Sequence, residues 1–290
     1  MQIDKFLPPI RIHCWGGFGS QLYALSVCNE LGKRSGRRLI LTFHTGGVTR
    51  RIPEILELLT EIEYVIVDDF ERAKNAHQAG PSNLRKTLRQ LVKRALTYVG
   101  VLTSLDKESD FNQLPFWVMQ IRGHYANLPV STEFFVRFFS QYVPKLTENV
   151  KSTYIGIHYR LGDLLTLSNK EFIAPARMVK ILQTLKESRA GGSLDVLISS
   201  DSINFATELL GRGLTGYEVS TTSNDGTILE EIARLIQSDI FIGTNSKVSS
   251  WVSLIRLHLV PGSTNYLPQE MKVWLDENFY EYPRNSVVFY

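Results

Sequence analysis

Apolar residues recur along this chain in two alternating rhythms. Short β-branched runs read as strands: Ile10–Trp15 (IRIHCW), Arg38–His44 (RLILTFH) and Tyr64–Asp69 (YVIVDD) in the first third. Between the first two, Gln21–Gly36 places Leu22, Leu25 and Leu31 at helical spacing, with Gly32 or Gly36 as the stop. Gly16–Ser20 (GGFGS) reads as a glycine turn ahead of that helix. The rhythm resumes at Thr153. Strands are expected at Tyr154–His158, Val196–Ser199, Tyr217–Ser220 and Ile240–Gly243, with a further one near Leu257–Val260. Met178, Ile181, Leu182 and Leu185 form an i, i+3, i+4, i+7 stripe, and Ile228–Ile236 forms another.

Strands separated by helices of this length imply parallel sheets, so the expected class is α/β. At 290 residues the simplest organisation is two Rossmann-like domains, 1–150 and 151–290. The stretch from Gln269 onward is expected to pack back on the first.

Residues 72–105 differ in character: they hold seven Lys or Arg and no Asp or Glu. Leu84, Leu88, Leu91 and Leu96 can share a helical face, with Arg85, Lys86, Arg89, Lys93 and Arg94 around the other side. That pattern fits a basic helix resting on anionic lipid through 84–94. It equally fits a solvated charged face whose apolar stripe packs on the core.

Composition narrows the field. Hydrophobic residues make up 43% and charged residues 21%, the balance of an ordinary globular protein. A net charge of +3 and a pI near 8.7 suit an anionic small ligand or a membrane surface, and are too weak for a nucleic-acid binder. Two cysteines, Cys14 and Cys28, without CxxC or His/Cys ligand spacing, predict reduced thiols and no structural zinc. The opening MQIDKFLPPIRIH lacks the charged and apolar regions of a signal peptide, and no run of 18 apolar residues occurs. A cytoplasmic location, peripheral to the membrane, is the expectation.

The candidate chemistry sits where strands end. Alternation puts His158 and Arg160 on one face at the carboxyl end of their strand, the edge at which open α/β sheets bind ligands. Gly162 permits a tight turn there, and Asp163 can bond the loop that follows. A second strand stops at Ser199-Ser200-Asp201, and a third offers Thr244, Asn245, Ser246 and Ser249 at a helix N-terminus, where exposed N–H groups favour an anion. An Arg fork suits phosphate oxygens. Three such ends on one crevice would make a nucleotide-diphosphate site. The plainer readings stay open: Asp201, Thr244 and Ser246 as helix caps, His158 as a core histidine, Arg160 and Asp163 as a structural ion pair.

His158-Tyr-Arg160-Leu-Gly162-Asp163 matches the H-x-R-x-G-D motif of metal-independent fucosyltransferases, and the chain most resembles their α-1,2-fucosyltransferase family. Gly16-Gly17-Phe18-Gly19-Ser20-Gln21 stands where that family has G-G-x-G-N-Q. Ser199-Ser200-Asp201 is similar to its F-S-D-D strand end, and Asn245 to Trp251 to its N-S-S-x-S-W-W segment. The ordered set covers residue 10 to about 255. The resemblance implies a GT-B-like fold, two Rossmann-like domains facing across a cleft, and inverting transfer of fucose or a related deoxyhexose from a GDP-sugar without a metal or other cofactor. It also implies a glycan or lipid-linked oligosaccharide as acceptor. By that analogy Arg160 neutralises the departing phosphate, with His158 and Asp163 as its catalytic neighbours. Ser199–Asp201 and Thr244–Ser249 hold the donor, and the loop of Gly16, Gly17, Gly19, Ser20 and Gln21 closes on it. Ser20, Leu161 and Val252 depart from the family pattern and put donor sugar and linkage in question.

Two other classes remain. A metal-dependent GT-A-type transferase would need Asp68 and Asp69 as a metal pair. A sugar-nucleotide-binding protein would keep the fold and lack turnover. The proton acceptor is not legible; Asp163, His158, Asp68 and Glu171 are all candidates.

Overall fold

The computed structural model describes residues 7–47, 49–59, 61–79, 83–105, 108–128, 133–147, 154–162, 172–188, 195–211, 213–222, 227–260, 262–278 and 286–290. Asp163 and Glu171 lie outside them. Contacts divide the chain into two compact units, Met1–Ser131 and Thr132–Tyr290, each α/β around a parallel sheet.

In the first unit, β1 (Ile10–Cys14) leads through α1 (Phe18–Arg34) to β2 (Leu39–His44) and β3 (Glu63–Val67). Then follow α2 (Phe70–Ala79), α3 (Asn83–Tyr98), β4 (Leu102–Ser104), α4 (Glu108–Asn112) and β5 (Gln120–Arg122). The sheet order is β3-β2-β1-β5-β4, every pairing parallel. Gly17 is the N-cap of α1, so Gly19, Ser20 and Gln21 belong to the helix, not to a turn before it. Leu22, Leu25 and Leu31 are buried, as their spacing requires.

The second unit opens with α5 (Glu133–Thr147) and β6 (Tyr154–His158). It continues through α6 (Pro175–Ser188), β7 (Asp195–Ser199), α7 (Ile203–Leu210), β8 (Glu218–Thr221), α8 (Ile228–Gln237), β9 (Ile240–Gly243) and α9 (Lys247–Leu259). It closes with β10 (Thr264–Leu267), α10 (Lys272–Asn278) and β11 (Val287–Phe289). This sheet is ordered β11-β10-β9-β6-β7-β8, again all parallel. The domain boundary expected at 150/151 thus falls at 131/132 instead, because α5 packs on α8 and α9. Phe135 packs against Trp251 with ring centroids 4.5 Å apart.

The strand expected near Leu257–Val260 is instead the end of α9, whose Trp251, Leu254 and Ile255 are buried at helical spacing. Of the last stretch, expected to pack back on the first domain, the described residues belong to the second unit, where β11 adds to the edge of the sheet beside β10. Met178, Ile181, Leu182 and Leu185 are all buried against Ile155, Ile157, Val196 and Ile198 in one core. Thr227 and Glu230 form a reciprocal capping box that starts α8 at its expected place.

Candidate functional site

The strand order reverses at β6: the chain runs from β6 to β7 and β8 on one side, then crosses back to place β9 on the other. His158 pairs with Ser199 across one side and with Gly243 across the other. The three polar strand ends read from the sequence therefore lie side by side at the carboxyl edge of the sheet, where the topology opens a crevice.

Hydrogen bonds knit these ends together. Thr244 Oγ1 donates to the His158 carbonyl and accepts the Arg160 N–H, each at 3.1 Å, which fixes the backbone on which Arg160 leaves the sheet. Ser249 Oγ accepts the Thr244 N–H at 3.0 Å and lies 2.8 Å from His158 Nδ1. Ser246 Oγ lies 3.1 Å from Ser249 Oγ, so the two hydroxyls and the His158 ring form one hydrogen-bonded group. Ser246 is the N-cap of α9, accepting the Ser249 N–H at 3.0 Å.

Burial pushes the His158 pKa down to about 4, with Asp201 opposing that shift and the Arg160 charge adding to it. A neutral imidazole this weakly basic, its Nδ1 already engaged, is built to hold the strand end. It makes a poor proton acceptor near neutral pH.

Asp201 stands across the turn. Its Oδ1 accepts the N–H groups of Leu161 and Gly162, both at 2.8 Å. Ser200 Oγ accepts the Ser202 N–H at 3.1 Å, and the Ser199 hydroxyl donates to Glu231. Ser199, Thr244, Ser246 and Ser249 are buried; Asn245 and Asp201 are exposed, and Arg160 and Ser200 are half-buried. The buried hydroxyls thus frame the crevice, and the more exposed groups are the ones a ligand would meet.

The glycine loop lies in the first unit. Gly16 has φ +105°, a conformation open to glycine, and Gly17 precedes the first turn of α1. Gln21 is buried and works as a tie: its amide donates to Ile52 O at 2.7 Å and Gly16 O at 3.2 Å, and its carbonyl accepts the Glu54 N–H at 2.7 Å. That tie brings the Glu54 carboxyl to the start of α1, where it accepts the Phe18 N–H. The helix's positive end is therefore met by a carboxyl of this chain. Burial raises the Glu54 pKa against the pull of the Phe18 N–H and Arg51, and its Oε2 has no hydrogen-bond partner among the described residues.

Sequence reasoning missed Glu54, and also a chain of titratable groups at the carboxyl ends of β1 and β2. His44 Nδ1 is 2.8 Å from Asp69 Oδ2, and His44 Nε2 is 2.8 Å from His13 Nδ1. Trp15 stacks on His44 at 4.4 Å. The signal was present, since both strands finish in or beside a histidine, as β6 does. The Asp68 and Asp69 carboxylates take different partners, Asp68 with Arg50 and Thr45, Asp69 with His44 and the Gly46 N–H. Among the described residues, no group of three or more His, Cys, Asp or Glu is placed to hold a metal ion.

A cavity of about 340 Å³ lies between α6 and the β10–β11 edge, lined by Arg177, Lys180, Ile181, Thr184, Tyr266 and Tyr290. None of the motif residues lines it, although the Tyr290 hydroxyl donates to Gly243 O at 2.9 Å.

No protein-family model matches the chain, and none of the curated proteins does. Among solved structures the chain is similar to POFUT1 in complex with GDP-fucose, at 14% identity and TM-score 0.49 over 90% of this chain and 98% of that one. It is similar to the NodZ alpha-1,6-fucosyltransferase soaked with GDP-fucose, at 13% identity and TM-score 0.46 over 86% and 92% of the two chains. It is also similar to E. coli heptosyltransferase WaaC with ADP, at 12% identity and TM-score 0.49 over 97% and 93%.

Proposed function

We propose that this protein is an inverting glycosyltransferase that takes a deoxyhexose, fucose from GDP-fucose, and joins it to a hydroxyl of a glycan or lipid-linked oligosaccharide. The observation that carries this reading is the junction of β7, β6 and β9, where Arg160 leaves the sheet between Asp201 and the α9 N-terminus. A nucleoside diphosphate suits such a place. The guanidinium offers a permanent charge and a planar fork to phosphate oxygens, and the helix start adds a positive dipole end. In transfer, the bond from the sugar C1 to the diphosphate oxygen breaks as the acceptor hydroxyl oxygen attacks from the opposite face. GDP departs with the bonding electrons, and the hydroxyl proton passes to the departing diphosphate or to water. Charge accumulates on the diphosphate, and a preformed cation there stabilises the transition state more than the ground state.

Calorimetric titration with GDP, GDP-fucose, UDP-sugars and ADP, with and without Mn²⁺, tests it. GDP and GDP-fucose should bind without metal. Binding of UDP-sugars with Mn²⁺ but not GDP would sink this reading in favour of a metal-dependent transferase. GDP-fucose binding without hydrolysis or transfer to any glycan acceptor would favour a binding protein.

A further inference from the structure

The basic helix α3 carries an apolar face left uncovered among the described residues. Leu88 is 64% exposed and Leu91 55%, and Val92 and Tyr98 on the same side are also exposed. Leu96 is half-buried and the side chains of Leu84, Arg85 and Lys86 lie outside the described residues, so of the stripe it is Leu88 and Leu91 that face water rather than the core. At its end, α3 meets a second exposed apolar pair. Trp117 Nε1 donates to the Val99 carbonyl at 2.7 Å, and the Phe116 ring, 67% exposed, stands edge-on to Trp117 at 4.7 Å. The aromatic pair thus adjoins the apolar strip of the helix at its Val99 end.

Arg89, Lys93 and Arg94 lie outside that strip on the same helix, all in exposed positions. Among the described residues no carboxylate pairs with them, and the sequence has no Asp or Glu from 72 to 105. Exposing this much leucine and aromatic surface to water is unfavourable, at about 25 cal/mol per Å². An apolar strip bordered by cations alone matches one kind of surface, an apolar phase beneath an anionic headgroup layer.

We infer that α3 and the Phe116–Trp117 pair form a docking surface for an anionic lipid bilayer. Leu88, Leu91, Tyr98 and Phe116 enter the acyl boundary, and Arg89, Lys93 and Arg94 lie among the headgroup phosphates. This inference stands apart from the proposed transfer reaction, since it uses no residue of the donor crevice.

The test is co-sedimentation of the full chain with vesicles of phosphatidylcholine alone and of phosphatidylcholine with about 30% phosphatidylserine, a charged surface of the kind that attracts basic segments. Binding should need the anionic lipid and weaken as salt rises. Each cation removed in Arg89→Gln, Lys93→Gln and Arg94→Gln should weaken partition about five-fold, and all three on the order of 100-fold. Leu88→Ser with Leu91→Ser should abolish binding while the melting temperature holds, because both side chains are already exposed. Lipids brominated on the acyl chain should quench tryptophan emission in the parent and much less in Trp117→Phe. Equal binding to both vesicle types, or none, overturns the proposal. So does a concentration-dependent dimer in sedimentation velocity that Leu88→Ser with Leu91→Ser dissolves, since the strip would then be an interface between copies.

Discussion

Asp201 Oδ1 holds the Gly162 N–H at 2.8 Å, so close that a Cβ on Gly162 would overlap Asp201 Oδ2. The glycine of the H-x-R-x-G-D run is thus required by the carboxylate at the end of the neighbouring strand. One motif explains a residue of the other, and together they fix the turn that follows Arg160.

Gly162→Ala should therefore displace Asp201, and Asp201→Ala should leave two backbone donors without their acceptor. At about 1 kcal/mol for each hydrogen bond, Asp201→Ala should cost roughly 1–2 kcal/mol and lower the melting temperature by several degrees. Asp201→Asn, which keeps an oxygen acceptor, should lose less. Both Gly162→Ala and Asp201→Ala should weaken GDP binding. An Asp201→Ala protein with unchanged melting temperature and GDP affinity would show that the interlock does not shape the crevice.

Much of this is legible in the sequence because buried parallel strands are written as compact β-branched runs. Tyr154–His158 and Ile240–Gly243 are readable to the residue. The three-residue strands β4, β5 and β11 are not, since so short a run carries no periodicity. Gly262 and Ser263 stand directly before β10 as ordinary turn signals. The apolar Leu257–Val260 lies on the other side of that turn and imitates a strand, although it only finishes α9. The site divides the same way. Strand-end residues announce themselves locally, but Glu54 reaches the start of α1 only through the Gln21 tie, whose partners lie 31 and 33 positions away.

The acid limb of stability should belong largely to two histidines. Burial lowers His158 and His13 from 6.5 to about 4, and Arg122, His44 and Arg11 push His13 further the same way. Between those values the unfolded chain binds protons that the folded chain refuses, so stability rises with pH across this window. It is fully present above about 6.5 and is lost as pH falls toward 4. Melting temperatures taken from neutral pH down into that window should drop steeply in the parent, and less steeply in His158→Gln, which retains an amide partner for Ser249. A parallel slope in both proteins would remove His158 from the account.

Glu54 should act with the opposite sign. Burial raises its pKa, so the folded state binds the proton more tightly than the unfolded one, and the contribution is lost as pH rises through the folded pKa. Glu54→Gln keeps an oxygen for the Phe18 N–H and removes the charge. Its melting temperature should match the parent in acid and exceed it at mildly alkaline pH. Should Glu54→Gln instead melt lower there, the carboxylate would be a stabilising helix cap, its dipole interaction outweighing its desolvation.

Arg160 offers the sharpest test of the proposed chemistry. Its backbone N–H is held by the Thr244 hydroxyl, which is fixed in turn by the His158 carbonyl, and neither bond uses the guanidinium. Removing that side chain should leave both bonds in place. A preorganised charge at a developing anion is typically worth about 3–4 kcal/mol, so Arg160→Ala should lower transfer from GDP-fucose by roughly 10²–10³-fold. The melting temperature should move by no more than about 2 °C, the size expected for a half-buried surface change. Arg160→Lys should recover little, because an ammonium cannot present two parallel donors. GDP affinity should fall less than the rate, since the charge counts most once the sugar bond is breaking. If Arg160→Ala melts many degrees lower while its folded fraction transfers at the parent rate, Arg160 is an element of structure and the diphosphate lies elsewhere.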